Sequence, residues 1–391
     1  MIFPDVADAH NIFDLRDMAK RRLPKWLFEF VDRGTEEEVA LRNNREAFER
    51  IQFRPRMLVD VSGRKLDTTL FGKEHKMPIG IAPTGAAGMM WYKGELELAR
   101  AARDAGVPFS LATGSITSME EIAGDVGGTL WMQLYMWADR KLSHQLVRRA
   151  SAAGFEALLV TVDGAVAGNR EYNRRNGFSV PFSYNSKNTF DVLSHPRWML
   201  NVLGRYIANG GMPERVNFPD ELKGKITTAY GGNKETRSDS LNWDDLKALR
   251  DIWPGKLLVK GLLHPDDAAK SVECGADGII VSNHGGRNCD AAPAPIEVLP
   301  EIVKAVGDRT TIVFDSGVRR GSDVVKALAL GAKFVLIGRS TLYGTAAAGY
   351  DGASRALAIY RGEISRGMAN ISCNAVSEIG PQHVAIGQHG T

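Results

Sequence analysis

The sequence has few of the features that mark a secreted or membrane-spanning protein. Its 391 residues include only three cysteines, Cys274, Cys289 and Cys373, which are scattered and odd in number. Such a set gives neither a disulfide framework nor a metal-ligand pattern. No run approaches the roughly 18 apolar residues of a membrane span, and the N-terminal MIFPDVADAHN has acids where a signal peptide carries bases. We therefore expect a reducing, cytoplasmic location.

An excess of one charge is also missing. Lys and Arg number 49 against 46 Asp and Glu, which gives a formal net charge of +3. This balance provides no electrostatic case for a nucleic-acid partner. Hydrophobic residues make up 44% of the chain, which is ample for a packed core. Any anion binding must therefore come from a few residues that are placed locally.

Eight short apolar runs alternate with helical stretches along the chain. The runs are Met77–Gly85, Pro108–Thr113, Leu130–Tyr135, Ala157–Asp163, Lys256–Gly261, Asp277–Asn283, Thr311–Gly317 and Ala332–Arg339. Nearly continuous runs of this length are typical of parallel strands that are buried on both faces. Eight of them predict an α/β protein built on one (β/α)8 TIM barrel domain, residues 1–391. A doubly wound open sheet is the alternative.

Two further segments complete the organisation. Helices are predicted before the first strand, over Phe13–Arg33, with Pro24 beginning a second part. A long insertion rich in Asn, Ser, Gly and Pro, residues 177–240, follows the fourth strand, and such insertions are typical of functional lids or mobile surface segments. Its one apolar, aromatic piece is Pro196–Ala208. We interpret this piece either as a surface helix packed on the barrel or as a contact with a membrane or partner.

Polar residues stand at the end of every predicted strand. In a (β/α)8 barrel, catalytic groups come from the carboxyl ends of the strands and from the loops that follow. The residues concerned are Thr84, Thr113, Gln133 with Tyr135, Thr161 with Asp163, Lys260, Ser282 with His284 and Arg287, Asp315 with Arg319, and Arg339. The turns DSGVRRGSD and IGRS after the last two strands contain glycine and lead into helices, which predicts a phosphate site there.

The segment SNHGGRNCD carries the most specific chemistry. His284 follows a buried strand directly, and a neutral histidine can accept a proton near neutral pH. A nearby carboxylate such as Asp163 would orient its ring. Arg287 and Arg170 could hold a substrate carboxylate bidentately, and Lys260 could stabilise negative charge on a cofactor. The two glycines let the backbone bend so that the histidine and arginine both face one small molecule.

These motifs resemble those of the FMN-dependent L-2-hydroxy acid dehydrogenases and oxidases. That family includes glycolate oxidase, the L-lactate dehydrogenases and (S)-mandelate dehydrogenase. The resemblance runs from Phe13 to Ile379 and rests on RLPKWLFEFVDRG, NREAFERIQFRPRMLVDVS, IAPTG, WMQLY, LLVKG, SNHGGR and DSGVRRGSDVVKALALGA. It implies an FMN-binding (β/α)8 barrel that oxidises an L-2-hydroxy acid, such as lactate or mandelate, to the 2-keto acid. The equivalent of a hydride would move from the substrate Cα to flavin N5.

The resemblance also implies roles for single residues. His284 would be the base with Asp163 as its partner, Tyr135 would bond the hydroxyl or keto oxygen, and Arg170 and Arg287 would hold the substrate carboxylate. The residues implied for FMN are Ala82, Pro83 and Thr84 at the N5 edge, Lys260 at N1 and O2, Gln133, Thr161 and Ser282 on ring and ribityl atoms, and Asp315, Gly317, Arg319, Gly338 and Arg339 on ribityl and phosphate. No metal is implied.

The chain departs from the family pattern near the expected substrate. Phe30 stands where a second tyrosine is common beside the substrate carboxylate, which predicts a more apolar wall of the substrate-binding site. Ala112 stands where a serine is usual, with Thr113 beside it as a substitute in cofactor binding. Asn288 and Cys289 replace a usual Gln-Leu pair. These changes leave the substrate's side chain open.

Gly85 bears on the substrate and the electron acceptor. Glycine at this position resembles the mandelate dehydrogenase branch and leaves room for a bulkier substrate. That branch and the lactate dehydrogenases commonly pass electrons to a membrane quinone, and the insertion corresponds to the segment that anchors some of them. We therefore expect a dehydrogenase with a quinone-type acceptor and a peripheral contact with the inner face of the cell membrane. A homotetramer is usual in the family.

Three other functions compete with this one. The first is an oxidase that uses O2 and produces H2O2, which the sequence does not separate from a dehydrogenase. The second is another FMN barrel such as a type 2 isopentenyl diphosphate isomerase, which the HGGR signature together with Arg170 disfavours. The third is a flavoprotein that binds FMN without activity. The complete set of His284, Arg287, Arg170, Tyr135 and Lys260 argues against it, whereas the departures at Phe30 and Ala112 keep it open.

Overall fold

The computed structural model describes residues 5–178, 185–227 and 239–387. Residues 1–4 and 388–391, and residues 179–184 and 228–238 of the predicted insertion, lie outside these ranges. Within the ranges, no helix is both long enough and apolar enough to cross a membrane.

Eight parallel strands close into a barrel, which confirms the predicted fold and makes the open-sheet alternative wrong. They are β4 Ile79–Ile81, β5 Phe109–Ala112, β6 Leu130–Leu134, β7 Ala157–Thr161, β8 Lys256–Leu262, β9 Gly278–Val281, β10 Thr311–Phe314 and β11 Phe334–Ile337. Closure occurs where Val335 lies opposite Ile79. Most of the predicted runs extend beyond these strands into the loops at their carboxyl ends. Those loop residues are the ones that line the site.

The two faces of the strands form separate apolar clusters. On β7, Leu158 and Val160 belong to the large cluster that includes the surrounding helices, whereas Leu159 packs in a smaller cluster with Leu258 and Ile280. This alternation arises because successive side chains of a strand point to opposite faces. The smaller cluster fills the barrel interior, so the polar groups can gather only at the end of the barrel.

The helices that precede and surround the barrel follow the predicted alternation. Pro24 separates the first two, because proline disfavours helical backbone at the preceding residue. The bounds are α1 Ile12–Arg22, α2 Lys25–Asp32, α3 Val39–Glu49, α4 Ala87–Met90, α5 Gly94–Ala105, α6 Met119–Asp125, α7 Arg140–Ala152, α8 Glu171–Arg175, α12 Trp243–Ile252, α13 Pro265–Glu273, α14 Pro295–Val306, α15 Gly321–Ala329 and α16 Arg339–Asn370. Helix α16 is interrupted by non-helical backbone at Ala348 and Gly349.

Short elements complete the structure. Strand β1 (Ile51–Phe53) pairs with β12 (Val384–Ile386), and β2 (Thr68–Leu70) pairs with β3 (Lys73–His75), both antiparallel. The insertion contains α9 (Ser186–Leu193), α10 (Pro196–Trp198), a π-helical turn (Met199–Gly204) and α11 (Arg205–Ala208). Single 3-10 turns lie at Val6–Asp8, Asp220–Leu222, Val376–Glu378 and Pro381–His383.

The insertion packs against the carboxyl end of the barrel. Asn217, which is fully buried, accepts a hydrogen bond from the amide of Met119 at 2.9 Å and donates to the carbonyl of Thr117 at 2.8 Å. Trp198 donates from its indole N–H to the carbonyl of Met89 at 2.7 Å. These contacts hold the insertion over the loops that follow β4 and β5, where the site lies.

Candidate active site

A cavity of about 1180 Å³ opens at the carboxyl ends of the barrel strands. Most of the predicted site residues line it, namely Phe30, Ala82, Pro83, Thr84, Gln133, Tyr135, Thr161, Arg170, Lys260, His284, Arg287, Asp315, Gly317, Arg319, Gly338 and Arg339. Three others, Thr113, Asp163 and Ser282, lie behind this lining and bond to residues within it. Residues of the insertion, including Arg215, Phe218 and Ile226, close part of the cavity.

His284 is held between a carboxylate and a phenol. Its Nδ1 lies 2.9 Å from Asp163 Oδ1, and its Nε2 lies 3.2 Å from the Tyr135 hydroxyl. Because an ionised carboxylate can only accept, Nδ1 carries the ring proton and Nε2 keeps its lone pair. Nε2 of His284 can therefore act as a base toward a group in the cavity, and the Tyr135 hydroxyl lies close enough to bond the same group.

Electrostatics keep this histidine neutral. Burial lowers the pKa of His284 below its usual range, and Lys260 and Arg170 lower it further, against the opposing effect of Asp163. Burial acts to raise the pKa of Asp163, but the hydrogen bond and charge interactions with His284 and Lys260 together outweigh it, so the pKa of this carboxyl lies below its usual value. The pair thus combines a neutral imidazole with an ionised carboxylate at neutral pH.

The turn that carries His284 has left-handed backbone at three successive residues. The φ angles of His284, Gly285 and Gly286 are 59°, 67° and 71°. A Cβ on Gly286 would lie 2.6 Å from the amide nitrogen of Leu41, and one on Gly285 would lie 2.6 Å from Arg339 Nη1. Both glycines are therefore required, for their backbone conformation and for the close approach of their neighbours.

Two arginines are anchored on the end of α2. Arg287 Nη1 donates to the carbonyls of Val31 and Arg33 at 3.4 and 3.1 Å. Arg339 donates to the same two carbonyls at 2.8 and 3.0 Å, and to that of Gly285 at 2.8 Å. Burial lowers the pKa of each guanidinium to about 10, and neighbouring arginines contribute. Two buried cations held by neutral carbonyls form a strong anion-binding environment.

Arg170 approaches this cluster from the loop after β7. Its Nε and Nη2 donate to the carbonyl of Arg287, each at 3.3 Å. The Arg287 guanidinium lies over the Phe30 ring, 5.2 Å from its centroid, and Phe30 packs on Phe178 at 4.9 Å. The predicted departure at Phe30 thus supplies a cation–π contact and an apolar wall in place of a hydroxyl.

A buried lysine lies among polar partners. Lys260 Nζ donates to Ser282 Oγ at 2.7 Å and pairs with Asp315 Oδ2 at 2.9 Å. Burial acts to lower the pKa of Lys260, but Asp315 and Asp163 outweigh it, so this pKa lies above the usual value. The ammonium is therefore charged in the cavity and can face a group that becomes negative.

The carboxyl ends of β5, β6 and β7 are joined by a chain of hydrogen bonds. Thr113 Oγ1 donates to the carbonyl of Gln133 at 2.6 Å, and Gln133 Nε2 donates to Thr161 Oγ1 at 2.9 Å. Ala112 lines the cavity beside them. Gln133 and Thr161 line the cavity. Thr113 does not line it and instead holds the backbone of Gln133 in place through its hydrogen bond.

The two turns expected to bind phosphate differ in their amides. Asp323 Oδ2 accepts from the amides of Arg319 and Arg320 at 2.9 and 3.0 Å, so a side chain of the protein already caps the start of α15. At the start of α16, the amides of Thr341 and Leu342 bond back to the carbonyl of Gly338 at 3.1 and 3.3 Å. The amides before them, at the very N-terminus, have no acceptor earlier in an α-helix. The anion-binding part of this region therefore consists of the α16 amides and the Arg319 side chain, which lines the cavity.

Sequence reasoning missed two supporting residues, Gly261 and Ser316. A Cβ on Gly261, whose φ is +107°, would lie 2.6 Å from Cβ and Cγ of Asp163. Ser316, with φ of 87°, accepts from the amides of Asn283 and Gly285 at 3.3 and 3.0 Å. The glycine after LLVK was a visible signal, because a glycine at a strand end indicates close backbone approach. No such signal marks the serine.

The cavity fits a flavin mononucleotide by the chemistry of its donors. A charged, buried lysine (Lys260) and a neighbouring amide (Gln133) lie on one side, where they suit a ring that gains negative charge on reduction. A helix N-terminus and Arg319 lie on another, where they suit a phosphate. Gly85 and Gly114 also line the cavity and contribute no side chain to it.

Similarity to known proteins extends over nearly the whole chain. The model of a family described as FMN-dependent dehydrogenase matches residues 19–386. The (S)-mandelate dehydrogenase of Pseudomonas putida is 42% identical over 374 residues, which cover 96% of this chain and 93% of the relative. The L-lactate oxidase of Nostoc sp. is 40% identical over 374 residues, 94% of this chain and 96% of the relative. A crystal structure of the monotopic membrane protein (S)-mandelate dehydrogenase has a TM-score of 0.90 at 41% identity, covering 97% of this chain and 100% of that one.

Proposed function

Because the chain belongs to the FMN-dependent dehydrogenase family, we propose that it binds FMN and oxidises an L-2-hydroxy acid to the 2-keto acid. The single observation that carries this proposal is the arrangement around His284. An uncharged histidine base, a phenol and two arginines line one cavity. A 2-hydroxy acid presents a hydroxyl next to a carboxylate, and these four side chains match both groups.

The protein's own residues handle the carboxylate and the proton. Arg170 and Arg287 bind the substrate carboxylate, which relieves the cost of burying two cations without a counterion. His284 Nε2 accepts the hydroxyl proton while Asp163 stabilises the imidazolium that forms. Tyr135 donates to the substrate oxygen and fixes its position. The insertion excludes water from this end of the cavity.

When bound, FMN would supply an acceptor for the two electrons that leave the substrate Cα. Its ring would be held beside Ala82, Pro83 and Thr84, which line the cavity. Lys260 would stabilise the negative charge that accompanies reduction. Gln133 and Thr161 hold ring atoms directly, with Thr113 and Ser282 supporting them. The ribityl chain and phosphate would be held by Asp315, Gly317, Arg319, Gly338 and Arg339.

The substrate's side chain is proposed to be apolar and bulky. Phe30, Phe178 and Phe218 line the cavity, and Phe30 packs against both Arg287 and Phe178. Gly85, which also lines the cavity, adds no side chain to its volume. An aryl group such as that of mandelate would fill this space better than the methyl of lactate, because burial of apolar area scales with size. The (S)-mandelate dehydrogenase relative supports this choice.

The electron acceptor and the cellular location are proposed from similarity to the relatives. One relative is a monotopic membrane protein, which supports a peripheral contact of this chain with the inner face of the cell membrane. The resemblance of the sequence to the dehydrogenases of the family is the ground for proposing a quinone-type acceptor. We also propose that the enzyme is cytoplasmic and forms a homotetramer. An O2-using oxidase is the alternative, which the lactate oxidase relative supports.

The proposed function is tested by mixing the FMN-loaded protein anaerobically with L- and D-2-hydroxy acids. The flavin absorbance should bleach with an L-acid, faster with mandelate than with lactate, and should persist with every D-acid. Readmitted air separates the two acceptors, since a dehydrogenase regains its colour slowly and an oxidase at once. Persistence of the absorbance with all L-acids would reject the proposal.

A further inference from the structure

A fully buried carboxylate that the proposed reaction does not use lies behind the site cavity. Glu95 is in the first turn of α5 and is 0% exposed. Burial raises the pKa of this carboxyl above its usual range. Lys93, two residues earlier, pairs with Glu121 at 2.6 Å rather than with Glu95. Because a buried charge is costly unless hydrogen-bond donors surround it, the donors to Glu95 indicate what it does.

These donors come from two loops at the carboxyl end of the barrel. Glu95 Oε1 accepts from the amide of Ile116 at 3.3 Å, and Oε2 accepts from the hydroxyl of Thr117 at 3.0 Å. Both residues belong to the loop after β5. The backbone of Gly88, in α4 after β4, also stabilises the charged form of the carboxylate. Glu95 is therefore an acceptor shared by the loops that follow β4 and β5.

The carboxylate is also in close contact with both loops. A Cβ on Gly88 would lie 2.7 Å from Glu95 Oε2 and 2.7 Å from Ile116 Cγ1, so position 88 has no room for a side chain. The interior of a protein is packed too densely to absorb even small displacements freely. A change in the length or the hydrogen bonds of Glu95 would therefore shift α4 and the loop after β5 relative to each other.

The same two loops form one apolar wall of the site cavity. Ala86 and Met89 line the cavity from the loop after β4, and Gly114 and Ile116 line it from the loop after β5. We call these four residues the β4/β5 wall. They present only apolar side chains or none, so this wall suits the apolar part of a substrate.

The insertion holds the loop after β5 through other atoms. Asn217 donates to the carbonyl of Thr117 at 2.8 Å, whereas the Thr117 hydroxyl bonds to Glu95. The Tyr206 hydroxyl accepts from the amide of Lys93 at 3.0 Å, just before α5. The loop is thus fixed by its backbone to the insertion and by Ile116 and Thr117 to Glu95.

We propose that Glu95 is a positioning residue that holds the β4/β5 wall in place and so determines how well the cavity accepts an acid with a bulky apolar side chain. The inference rests on the proposed function and deepens it, because it names a residue that acts on substrate choice through Met89 and Ile116. A small acid would be held by Arg170 and Arg287 alone. An aryl acid would also need the β4/β5 wall.

The binding of two unreactive acids, acetate and phenylacetate, tests this role. Neither carries a 2-hydroxyl, so neither can reduce the flavin, and each can be titrated into FMN-loaded protein by the shift in flavin absorbance. Glu95→Gln replaces one acceptor oxygen with an amide donor, which then faces a donor of the loop. We expect the phenylacetate Kd to rise by about tenfold and the acetate Kd to stay unchanged.

Two further variants make this comparison specific. Glu97→Gln is the matched control, because Glu97 lies on the same helix and pairs with Arg100 at 3.3 Å. It should leave both Kd values unchanged. Thr117→Val removes one donor to Glu95 and keeps the shape of the side chain. We expect a smaller rise in the phenylacetate Kd, and this variant decides the question by the same criterion if Glu95→Gln does not fold.

Turnover gives a second measure of the same role. With mandelate, Glu95→Gln should raise KM and keep kcat, because the wall affects binding and His284 is unchanged. Equal changes in the two Kd values, unchanged phenylacetate binding, or no phenylacetate binding to the wild-type protein overturns the inference, even where Tm falls. Failure of every L-2-hydroxy acid to bleach the wild-type flavin rejects the proposed function, whereas the comparison of acetate with phenylacetate still decides the role of Glu95.

Discussion

At the scale of single residues, the account depends on the tautomer of His284. Asp163 holds Nδ1 at 2.9 Å and so leaves Nε2 as the base. In Asp163→Asn the amide can donate to Nδ1, which favours the opposite tautomer and removes the lone pair from the cavity. We expect kcat to fall by about 10²- to 10⁴-fold with little change in KM, as measured by steady-state assay. A matched fall in affinity without loss of kcat would contradict this role.

The same histidine sets the pH dependence. Burial lowers the pKa of His284, so the imidazole is neutral and competent at pH 7 and above. We expect kcat/KM to be level there and to fall on the acid side with an apparent pKa below the usual value of about 6.5. Asp163 raises the pKa of His284. The residual activity of Asp163→Asn should therefore show an acid limb with a still lower apparent pKa. An acid limb centred above pH 7 in the wild-type protein would refute the electrostatic argument.

A substitution at Phe30 tests whether this side chain forms part of the substrate-binding site. Its ring lies under Arg287 at 5.2 Å and against Phe178 at 4.9 Å. Phe30→Tyr would add a hydroxyl near the substrate carboxylate, and a charge-assisted hydrogen bond contributes about 1.5–3 kcal/mol. We expect a lower KM for small acids such as lactate and a smaller effect for mandelate. Unchanged KM across a panel of L-acids would show that this position does not contact the substrate.

At the scale of elements, the left-handed turn from His284 to Gly286 fixes the spacing of base and arginine. Gly286→Ala would place a Cβ 2.6 Å from the Leu41 amide nitrogen and would strain a φ of +71°. Strain of this kind costs about 1–2 kcal/mol before the clash is counted. We expect a lower Tm and a larger loss of kcat/KM, because both His284 and Arg287 move. Gly63→Ala, where a Cβ meets nothing within 4 Å, is the control and should change neither.

Elements also show what the sequence can and cannot predict. The eight strands were predictable because burial on both faces leaves continuous apolar runs, and the strand-end residues followed from the barrel's geometry. The pairing of Arg287 and Arg339 with the carbonyls of α2 was not, since it joins groups more than 250 positions apart that carry no local pattern. The sequence also did not predict that Asp323 caps the start of α15. This cap leaves the N-terminus of α16 as the helix end that can bind an anion.

At the scale of the whole molecule, the insertion and the barrel form one site. Asn217, fully buried, satisfies the Met119 amide and the Thr117 carbonyl on the loop after β5. Asn217→Ala would leave these groups unpaired, and each unsatisfied buried group costs about 1–3 kcal/mol. We expect a lower Tm and a higher KM, because the insertion no longer closes the cavity over the substrate. An altered Tm with unchanged KM would separate the insertion from substrate binding.

The measurement that tests the central claim most directly is the rate of anaerobic flavin reduction in wild-type protein and in His284→Gln. Both are loaded with FMN and mixed with the preferred L-2-hydroxy acid in a stopped-flow instrument. The account predicts rapid bleaching in the wild-type protein and bleaching slower by at least about 10²-fold in the variant, with substrate binding retained through Arg170 and Arg287. Equal rates in the two proteins would contradict the assignment of His284 as the base.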